Sequence, residues 1–249
     1  MQVAPDVQLR GISKSFDRSV LSSVDLHVPS GCLYGLIGPG ASGKSLLLKL
    51  IAGLLRPDHG SIAVGGRDVL AMNELELPEF RKGIGMLFQN NALFDFMTVQ
   101  ENIAFPLRRL LDLPEQEILE RVAERLKCVS LPGFQARWPS GLSGGQKKRI
   151  GVARATVTQA PLVLYDEPAA GLDPVTSQKI FDLLRSEQRA SGATVIMVSS
   201  DLDRLLTVTD RVGMMFEGRL IFDGTTDEAR ASMDPIVHQF VHGKVEGPL

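Results

Sequence analysis

The sequence predicts an α/β fold, in which a mixed or parallel sheet with flanking helices is joined to an antiparallel β subdomain and carries an inserted α-helical lobe. Residues 33–37, 162–165 and 194–198 are short, nearly continuous apolar runs, which are typical of parallel strands covered by helices on both faces. Residues 24–28 alternate apolar and polar side chains, and residues 62–64 repeat this alternation ahead of a Gly-Gly turn. A period of two indicates strands with one buried face, so these segments predict antiparallel pairing.

The middle of the chain has the period of helices. Thr98 and Glu101 have the spacing of a capping box, in which two side chains satisfy the first free amides of a helix. After Pro114, apolar residues stand three and four positions apart, which predicts one buried helix face. The members of that face are Ile118, Leu119, Val122 and Leu126.

These patterns predict a single domain over residues 1–249. A helical lobe of about residues 92–155 is inserted in the α/β core, and residues 225–249 form a helical extension at the end of the chain. The extension closes with an amphipathic helix, which packs either on the core of its own chain or against a second copy. The sequence leaves both arrangements open.

Composition narrows the class of protein. The chain has 27 Lys and Arg against 29 Asp and Glu and a formal net charge of -2, whereas binding to a phosphate backbone requires a basic surface. Nucleic acid is therefore not expected as a partner. Cys32 and Cys128 lie outside any C-x-x-C pattern, so neither a disulfide framework nor a cysteine metal site is expected. No apolar segment has the length of a membrane span.

The strongest local signal is the string Gly-Pro-Gly-Ala-Ser-Gly-Lys-Ser at residues 38–45. It follows an apolar run and precedes a helical pattern, which is the context of a phosphate-binding loop. In such a loop backbone amides surround phosphate oxygens, Lys44 reaches the β and γ phosphates, and the Ser45 hydroxyl coordinates Mg²⁺. A chance glycine-rich turn is the alternative, and the flanking pattern argues against it. The candidate phosphate-binding residues are Gly38, Pro39, Gly40, Ala41, Ser42, Gly43, Lys44, Ser45 and Leu46.

A second signal is a pair of carboxylates after the apolar run 162–165. Asp166 ends the predicted strand and can reach the magnesium ion, and Glu167 follows it, where a carboxylate can polarise an attacking water. A charged, solvated strand end is the alternative. Because the same chain carries a phosphate-binding loop, we favour the catalytic interpretation, which indicates binding and hydrolysis of ATP.

A third signal is the string Leu-Ser-Gly-Gly-Gln at residues 142–146. At the start of a helical stretch, Ser143, Gly144 and Gly145 would expose a hydroxyl and unpaired amides, which together form an anion site. Simple capping of the helix is the alternative. The presence of the other two strings favours the anion site.

Taken in order, these blocks closely resemble those of the ATP-binding-cassette (ABC) ATPases, and the resemblance covers about residues 7–224. It implies a P-loop NTPase core, the cofactors ATP and Mg²⁺, and ATP hydrolysis. In that family two copies sandwich two ATP molecules, each between the phosphate loop of one copy and the signature string of the other. The resemblance therefore implies a homodimer, in which the nucleotide also contacts Ser143, Gly144, Gly145 and Gln146.

Three further residues gain a role only through this resemblance. Phe16 resembles the aromatic residue that stacks on adenine, with a core aromatic as the alternative. Gln89 resembles the glutamine that senses magnesium and contacts the membrane partner, and Asp173 resembles the residue that signals across the dimer. The implied metal-binding residues are Ser45, Gln89 and Asp166, and the implied catalytic residues are Glu167, Gln89 and Ser200.

The sequence departs from the family at Ser200, where a histidine usually contacts the γ-phosphate. A serine hydroxyl can donate a hydrogen bond, but it is shorter than an imidazole and carries no charge. Because Glu167 is present, we predict slower but real turnover. An ATP-gated dimer that regulates and scarcely hydrolyses is the alternative.

A further set of strings is similar to one subgroup of the family, the Mla-type ATPases that serve MCE-protein lipid transporters. These strings are residues 34–40, 92–108, 170–177 and 234–243, the last together with Gly247 and Pro248. The similarity implies phospholipid transport between the inner and outer membranes, with an integral membrane permease and an MCE-domain lipid-binding protein as partners. It also implies a peripheral position on the cytoplasmic face of a bacterial inner membrane. Another solute stays open as the cargo, because cargo specificity lies in the partners.

Overall fold

The structure, a computed structural model, describes residues 3–90 and 92–249. The single domain predicted over residues 1–249 thus includes residues 1, 2 and 91, which lie outside the described residues. The strands are β1 (Val7–Ser15), β2 (Ser19–Val28), β3 (Leu33–Ile37), β4 (His59–Val64), β5 (Arg67–Asp68), β6 (Ile84–Leu87), β7 (Leu162–Asp166), β8 (Thr194–Val198), β9 (Arg211–Phe216) and β10 (Arg219–Thr225). The helices are α1 (Lys44–Ile51), α2 (Glu76–Lys82), α3 (Val99–Leu110), α4 (Glu115–Cys128), α5 (Gly144–Thr156), α6 (Pro174–Ser191), α7 (Leu202–Val208), α8 (Thr226–Arg230) and α9 (Pro235–Val241).

The larger sheet has the order β10-β9-β3-β8-β7-β6. Its pairs from β9 to β6 are parallel, and only β10 is antiparallel to its neighbour β9. Every residue of β3, β7 and β8 is buried, as expected for strands covered on both faces. The prediction of parallel strands from continuous apolar runs is therefore confirmed.

The smaller sheet has the order β2-β1-β4-β5 and is antiparallel throughout. Its central strand β1 places Val7 opposite both Val28 of β2 and Val64 of β4. The buried residues of β2 alternate with exposed ones toward its end, so the predicted antiparallel strands of period two are confirmed.

Helices α3, α4 and α5 come between β6 and β7 in the chain, although β6 and β7 are hydrogen-bonded neighbours. The capping box that opens α3 is present: Thr98 Oγ1 accepts from the amide of Glu101, and Glu101 Oε2 accepts from the amide of Thr98. The apolar faces of the three helices share one hydrophobic core. The boundaries of the lobe at residues 92 and 155 stay a prediction.

The buried face of α4 is narrower than the sequence pattern predicts. Ile118, Val122 and Leu126 are at most 3% exposed, whereas Leu119 is 36% exposed. The prediction for Leu119 was wrong: at about 100° per residue, position 119 lies about 20° beyond position 126, at the rim of the buried stripe, where solvent reaches the side chain.

The chain ends in α8 and α9, and α9 begins at Pro235 with Asp234 as its cap. Val237 is fully buried and Val241 is 8% exposed, and both belong to the core of the same chain. The helix thus packs on the core of its own chain, and contact with a second copy stays a prediction. Within residues 3–90 and 92–249, none of the helices combines the length and the apolar character needed to cross a membrane.

We expect Leu126→Ala to lower the free energy of unfolding by about 2–5 kcal/mol, because it leaves a cavity at a fully buried position. Leu119→Ala makes the same chemical change on the same helix and should cost less than about 1 kcal/mol. Urea denaturation followed by circular dichroism measures both. Equal losses for the two variants would contradict the orientation of α4.

Candidate active site

The candidate site lies where the parallel strands β3, β8, β7 and β6 end. Because these strands are adjacent and run in the same direction, the segments that follow them leave one edge of the sheet. This edge is where open α/β sheets bind ligands. The segments carry the loop 38–45 after β3, Ser200 after β8, Glu167 after β7 and Gln89 after β6.

The loop 38–45 has the backbone that its glycines allow. Gly38 has φ +137° and Gly43 has φ +98°, and a Cβ on Gly38 would lie 2.0 Å from the carbonyl oxygen of Met215. Ala41 also has a positive φ of 60°, a conformation that costs an alanine about 1 kcal/mol. Among the described residues, no side chain caps α1 and no acidic residue lies in its first turn, so its first amides are available to an anion.

Lys44 folds back over this loop. Its Nζ donates to the carbonyl oxygens of Gly38 at 2.8 Å and Pro39 at 2.7 Å, and contacts Ser42 Oγ at 3.2 Å. Burial lowers the pKa of Lys44, and the nearby carboxylates of Glu167 and Asp166 oppose this shift. The lysine thus lies at the loop, with two acidic groups in its electrostatic environment.

The loop is joined directly to β7. The hydroxyl of Ser45 donates a hydrogen bond to Asp166 Oδ1 at 2.8 Å, and Asp166 is only 3% exposed. A hydroxyl and a carboxylate are hard oxygen donors, and Mg²⁺ takes one or two such protein ligands together with water and substrate phosphates. The residues present therefore fit a magnesium ion.

The second carboxylate has its own hydroxyl partner. Ser200 Oγ donates to Glu167 Oε2 at 3.0 Å, and the amide of Glu167 donates to the carbonyl oxygen of Val198 at 2.9 Å. Glu167 has a φ of 55°, and such left-handed backbone in a non-glycine residue is concentrated at functional sites. Both side chains are at least partly accessible to solvent. Ser200 thus orients the carboxylate that follows β7.

The signature string lies at the start of α5. Ser143 caps the helix: its Oγ accepts from the amide of Gln146 at 3.3 Å, and Gln146 Oε1 accepts from the amide of Ser143 at 3.0 Å. The capping alternative is therefore present in the fold. Gly144 is exposed, and a Cβ there would meet nothing within 4 Å. Within one copy of the chain, no described contact joins Ser143 or Gln146 to the loop 38–45.

The structure places the three residues assigned by resemblance as follows. Phe16 is 61% exposed and lies under Lys14 Nζ, 5.5 Å from the ring centre, so the core-aromatic alternative was wrong. Asp173 caps α6 by accepting from the amides of Val175 at 3.0 Å and Thr176 at 2.9 Å. Gln89 is exposed.

Two groups of site residues escaped the sequence analysis. Arg18 and Glu217 line the cavity of about 640 Å³ beside the loop 38–45, and nothing in their local sequence signals this, because sheet packing brings them there. Lys148, on α5, is 4% exposed and donates to the carbonyl oxygen of Gln89 at 2.8 Å. Burial lowers the pKa of Lys148, with Glu167 and Asp166 opposing the shift. A lysine after the signature string is visible in the sequence, but its burial is not.

We expect Gly38→Ala to weaken ATP binding at least about tenfold, since distortion of the loop by only 1.4 kcal/mol is sufficient for that factor. The added Cβ would overlap the Met215 carbonyl. Gly141→Ala is the matched control, because this residue lies outside the loop, a Cβ there meets nothing within 4 Å and no positive φ is needed. Titration with a fluorescent ATP analogue measures both affinities, and unchanged binding in Gly38→Ala would contradict this geometry.

Comparison with known proteins identifies the family. A family model described as ABC transporter matches residues 21–170. A probable ribonucleotide transport ATP-binding protein of Mycobacterium leprae is 38% identical over 250 residues, which is 100% of this chain and 72% of that protein. The intermembrane phospholipid transport system ATP-binding protein MlaF of Haemophilus influenzae is 37% identical over 236 residues, which is 95% of this chain and 89% of that protein.

A solved structure agrees with the predicted P-loop NTPase fold. The ATP-binding cassette MJ0796, in a dimeric post-hydrolysis state bound to ADP and Pi, superimposes with a TM-score of 0.84 and 29% sequence identity. The match covers 88% of this chain and 98% of that one. The chain therefore belongs to the ABC transporter family and is an ATP-binding-cassette ATPase that uses ATP and Mg²⁺.

Proposed function

We propose that this chain powers phospholipid transport as the ATP-hydrolysing subunit of an ABC transporter. The observation that carries the catalytic part is the arrangement at the sheet edge, where each of two carboxylates accepts a hydrogen bond from a serine. Ser45 holds Asp166 at 2.8 Å, and Ser200 holds Glu167 at 3.0 Å. Two carboxylates that are oriented separately can have separate roles.

The triphosphate binds over the loop 38–45. The amides at the start of α1 and the left-handed glycines close around phosphate oxygens, and Lys44 exchanges the carbonyls of Gly38 and Pro39 for the β and γ phosphates. The exposed ring of Phe16 stacks on adenine. Ser42 and Leu46 complete the binding segment.

Ser45, Gln89 and Asp166 would hold the magnesium ion, which would supply positive charge to the triphosphate. Asp166 is suited to this role because it is buried and already ordered by Ser45. Gln89 is exposed at the end of β6, on the same sheet edge.

Glu167 orients the attacking water and accepts its proton. Ser200 donates to Oε2, which leaves Oε1 to accept a hydrogen bond from that water. Ser200 thus orients the catalytic carboxylate, which differs from the γ-phosphate contact that the resemblance gives to a histidine at this position. This contact favours a hydrolysing enzyme over the alternative of a regulatory dimer that scarcely hydrolyses.

A homodimer completes each site. Ser143, Gly144, Gly145 and Gln146 lie at the start of α5, and among the described residues no side-chain hydrogen bond joins them to the loop 38–45 of their own chain. A second copy therefore brings its signature string to the phosphates. Asp173 lies at the exposed start of α6 and signals across the same interface. The dimeric state of MJ0796 supports this assembly.

The dimer acts at the cytoplasmic face of a bacterial inner membrane, with an integral membrane permease and an MCE-domain lipid-binding protein. The MlaF relative is named for intermembrane phospholipid transport, and the match covers 89% of its length. The Mycobacterium relative, named for ribonucleotide transport, is matched over 72% of its length. The length match and the Mla-type strings favour phospholipid, and ribonucleotide is the second candidate cargo.

We expect Glu167→Gln to lower kcat for Mg-ATP at least about 100-fold with ATP binding retained, because it removes a general base.

Ser200→Ala should lower kcat about tenfold, since a hydrogen bond to a charged group contributes about 1.5–3 kcal/mol. Ser200→His keeps a donor at the carboxylate and should match or exceed the native rate. If the native chain hydrolysed ATP no faster than Glu167→Gln, the proposal of hydrolysis would be contradicted.

Transport is tested with complexes purified from native membranes through a tag on this chain. A permease and an MCE-domain protein should copurify, and the complex in vesicles should move fluorescent phosphatidylethanolamine only with Mg-ATP. The same complex with Glu167→Gln is the control and should not move it. If ribonucleotides stimulated ATP hydrolysis and no phospholipid moved, the result would contradict phospholipid as the cargo and favour ribonucleotide.

A further inference from the structure

The side chain of Lys148 is a buried cation, so little solvent is available to stabilise its ammonium group. Its side chain is 4% exposed, and its Nζ donates to the carbonyl oxygen of Gln89 at 2.8 Å. A lysine is almost never this buried without a partner, because taking an ammonium out of water is costly. The hydrogen bond to Gln89 therefore stabilises the buried ammonium group in the fold.

This hydrogen bond joins the signature helix α5 to the segment that follows β6 at the candidate site. Lys148 lies on α5, the helix that begins with the signature string, and Gln89 follows β6 at the candidate site. A second bond from the same helix supports the link, because Arg154 donates to the carbonyl oxygen of Ala92 at 2.8 Å. Helix α5 thus forms hydrogen bonds to the backbone at Gln89 and at Ala92.

Lys148 also lies in the electric field of the two site carboxylates. Asp166 and Glu167 are the acidic groups that act on its ammonium, although neither is within ion-pair distance in the described residues. Its hydrogen-bond partner is a carbonyl oxygen, which carries no net charge. The ammonium is therefore placed to fix the backbone of Gln89 beside the carboxylates.

We propose that Lys148 is a positioning residue that holds Gln89 in place for magnesium binding and ties its position to the signature helix. This inference rests on the proposed function of Gln89. Lys148 acts through the backbone of Gln89, and in the dimer it links the segment that serves one ATP to the helix that serves the other.

Lys148→Met removes the donor at similar length, and Lys148→Arg keeps a donor and a charge. We expect Lys148→Met to lower kcat about tenfold with KM for ATP within about twofold, because the bond it loses involves a charged group. Lys148→Arg should recover at least half of the native rate. Lys147→Met, one position earlier and with no side-chain hydrogen bond or ion pair among the described residues, is the control and should behave as the native chain.

A double-mutant cycle separates positioning from support of the fold. If Lys148 acts through Gln89, Lys148→Met should cost less than about twofold in a Gln89→Ala background, since contacting residues that act together are non-additive. A full tenfold cost in both backgrounds, or a fall in melting temperature that Lys148→Arg does not repair, would overturn the proposal.

A binding measurement keeps the test independent of turnover. In a Glu167→Gln background, Lys148→Met should raise the Mg²⁺ concentration needed for half-maximal binding of a fluorescent ATP analogue about fivefold, because Gln89 is less well placed. An unchanged Mg²⁺ requirement would overturn the inference. If the native chain hydrolyses no ATP, the proposed function fails, and this titration still decides the role of Lys148.

Discussion

The parallel pairing of β3, β8, β7 and β6 is the constraint on which the rest of the site depends. Val198 of β8 is the register partner of both Leu36 on β3 and Asp166 on β7, so residues far apart in the sequence come to one level of the sheet. β7 and β8 end at this level, β3 ends one residue later at Ile37, and the segments that follow leave the same edge of the sheet. Without this register, the hydroxyl of Ser45 would not reach Asp166. Catalytic geometry is therefore a property of the sheet, and the loops only supply the chemical groups.

The charges at this edge follow a simple division. Each carboxylate accepts from a neutral serine, whereas the half-buried Lys44 and the buried Lys148 donate to backbone carbonyls. No lysine forms an ion pair with Asp166 or Glu167 among the described residues. Burial lowers the pKa of both Lys44 and Lys148, and the carboxylates oppose this shift. Because neither lysine is in an ion pair with these carboxylates, its positive charge is not neutralised by a direct partner. A triphosphate supplies the missing negative charge, and this favours its binding without first breaking a strong ion pair.

Sequence patterns predict those features that depend on short-range order. Continuous apolar runs identify the central strands, and the glycine spacing of residues 38–45 identifies the loop, because both are encoded within a few residues. The prediction that Leu119 is buried was wrong because apolar spacing does not fix the width of a buried helix face. Lys148 and Ser200 depend on contacts 59 and 33 residues away along the chain. A local pattern holds no information about such neighbours, so the departure at Ser200 is visible from the sequence but its hydrogen bond to Glu167 is not.

The cap of α5 shows how one hydroxyl can serve both the fold and the function. Ser143 Oγ accepts from the amide of Gln146, and a serine hydroxyl also carries one proton to donate. Capping uses only the acceptor, so the O–H remains available to a phosphate oxygen, and the dipole of α5 favours an anion at the same point. The capping and phosphate-binding interpretations of this string are therefore compatible. The cap orders the serine within one chain, and in the proposed dimer this ordered hydroxyl faces the phosphates bound by the second copy.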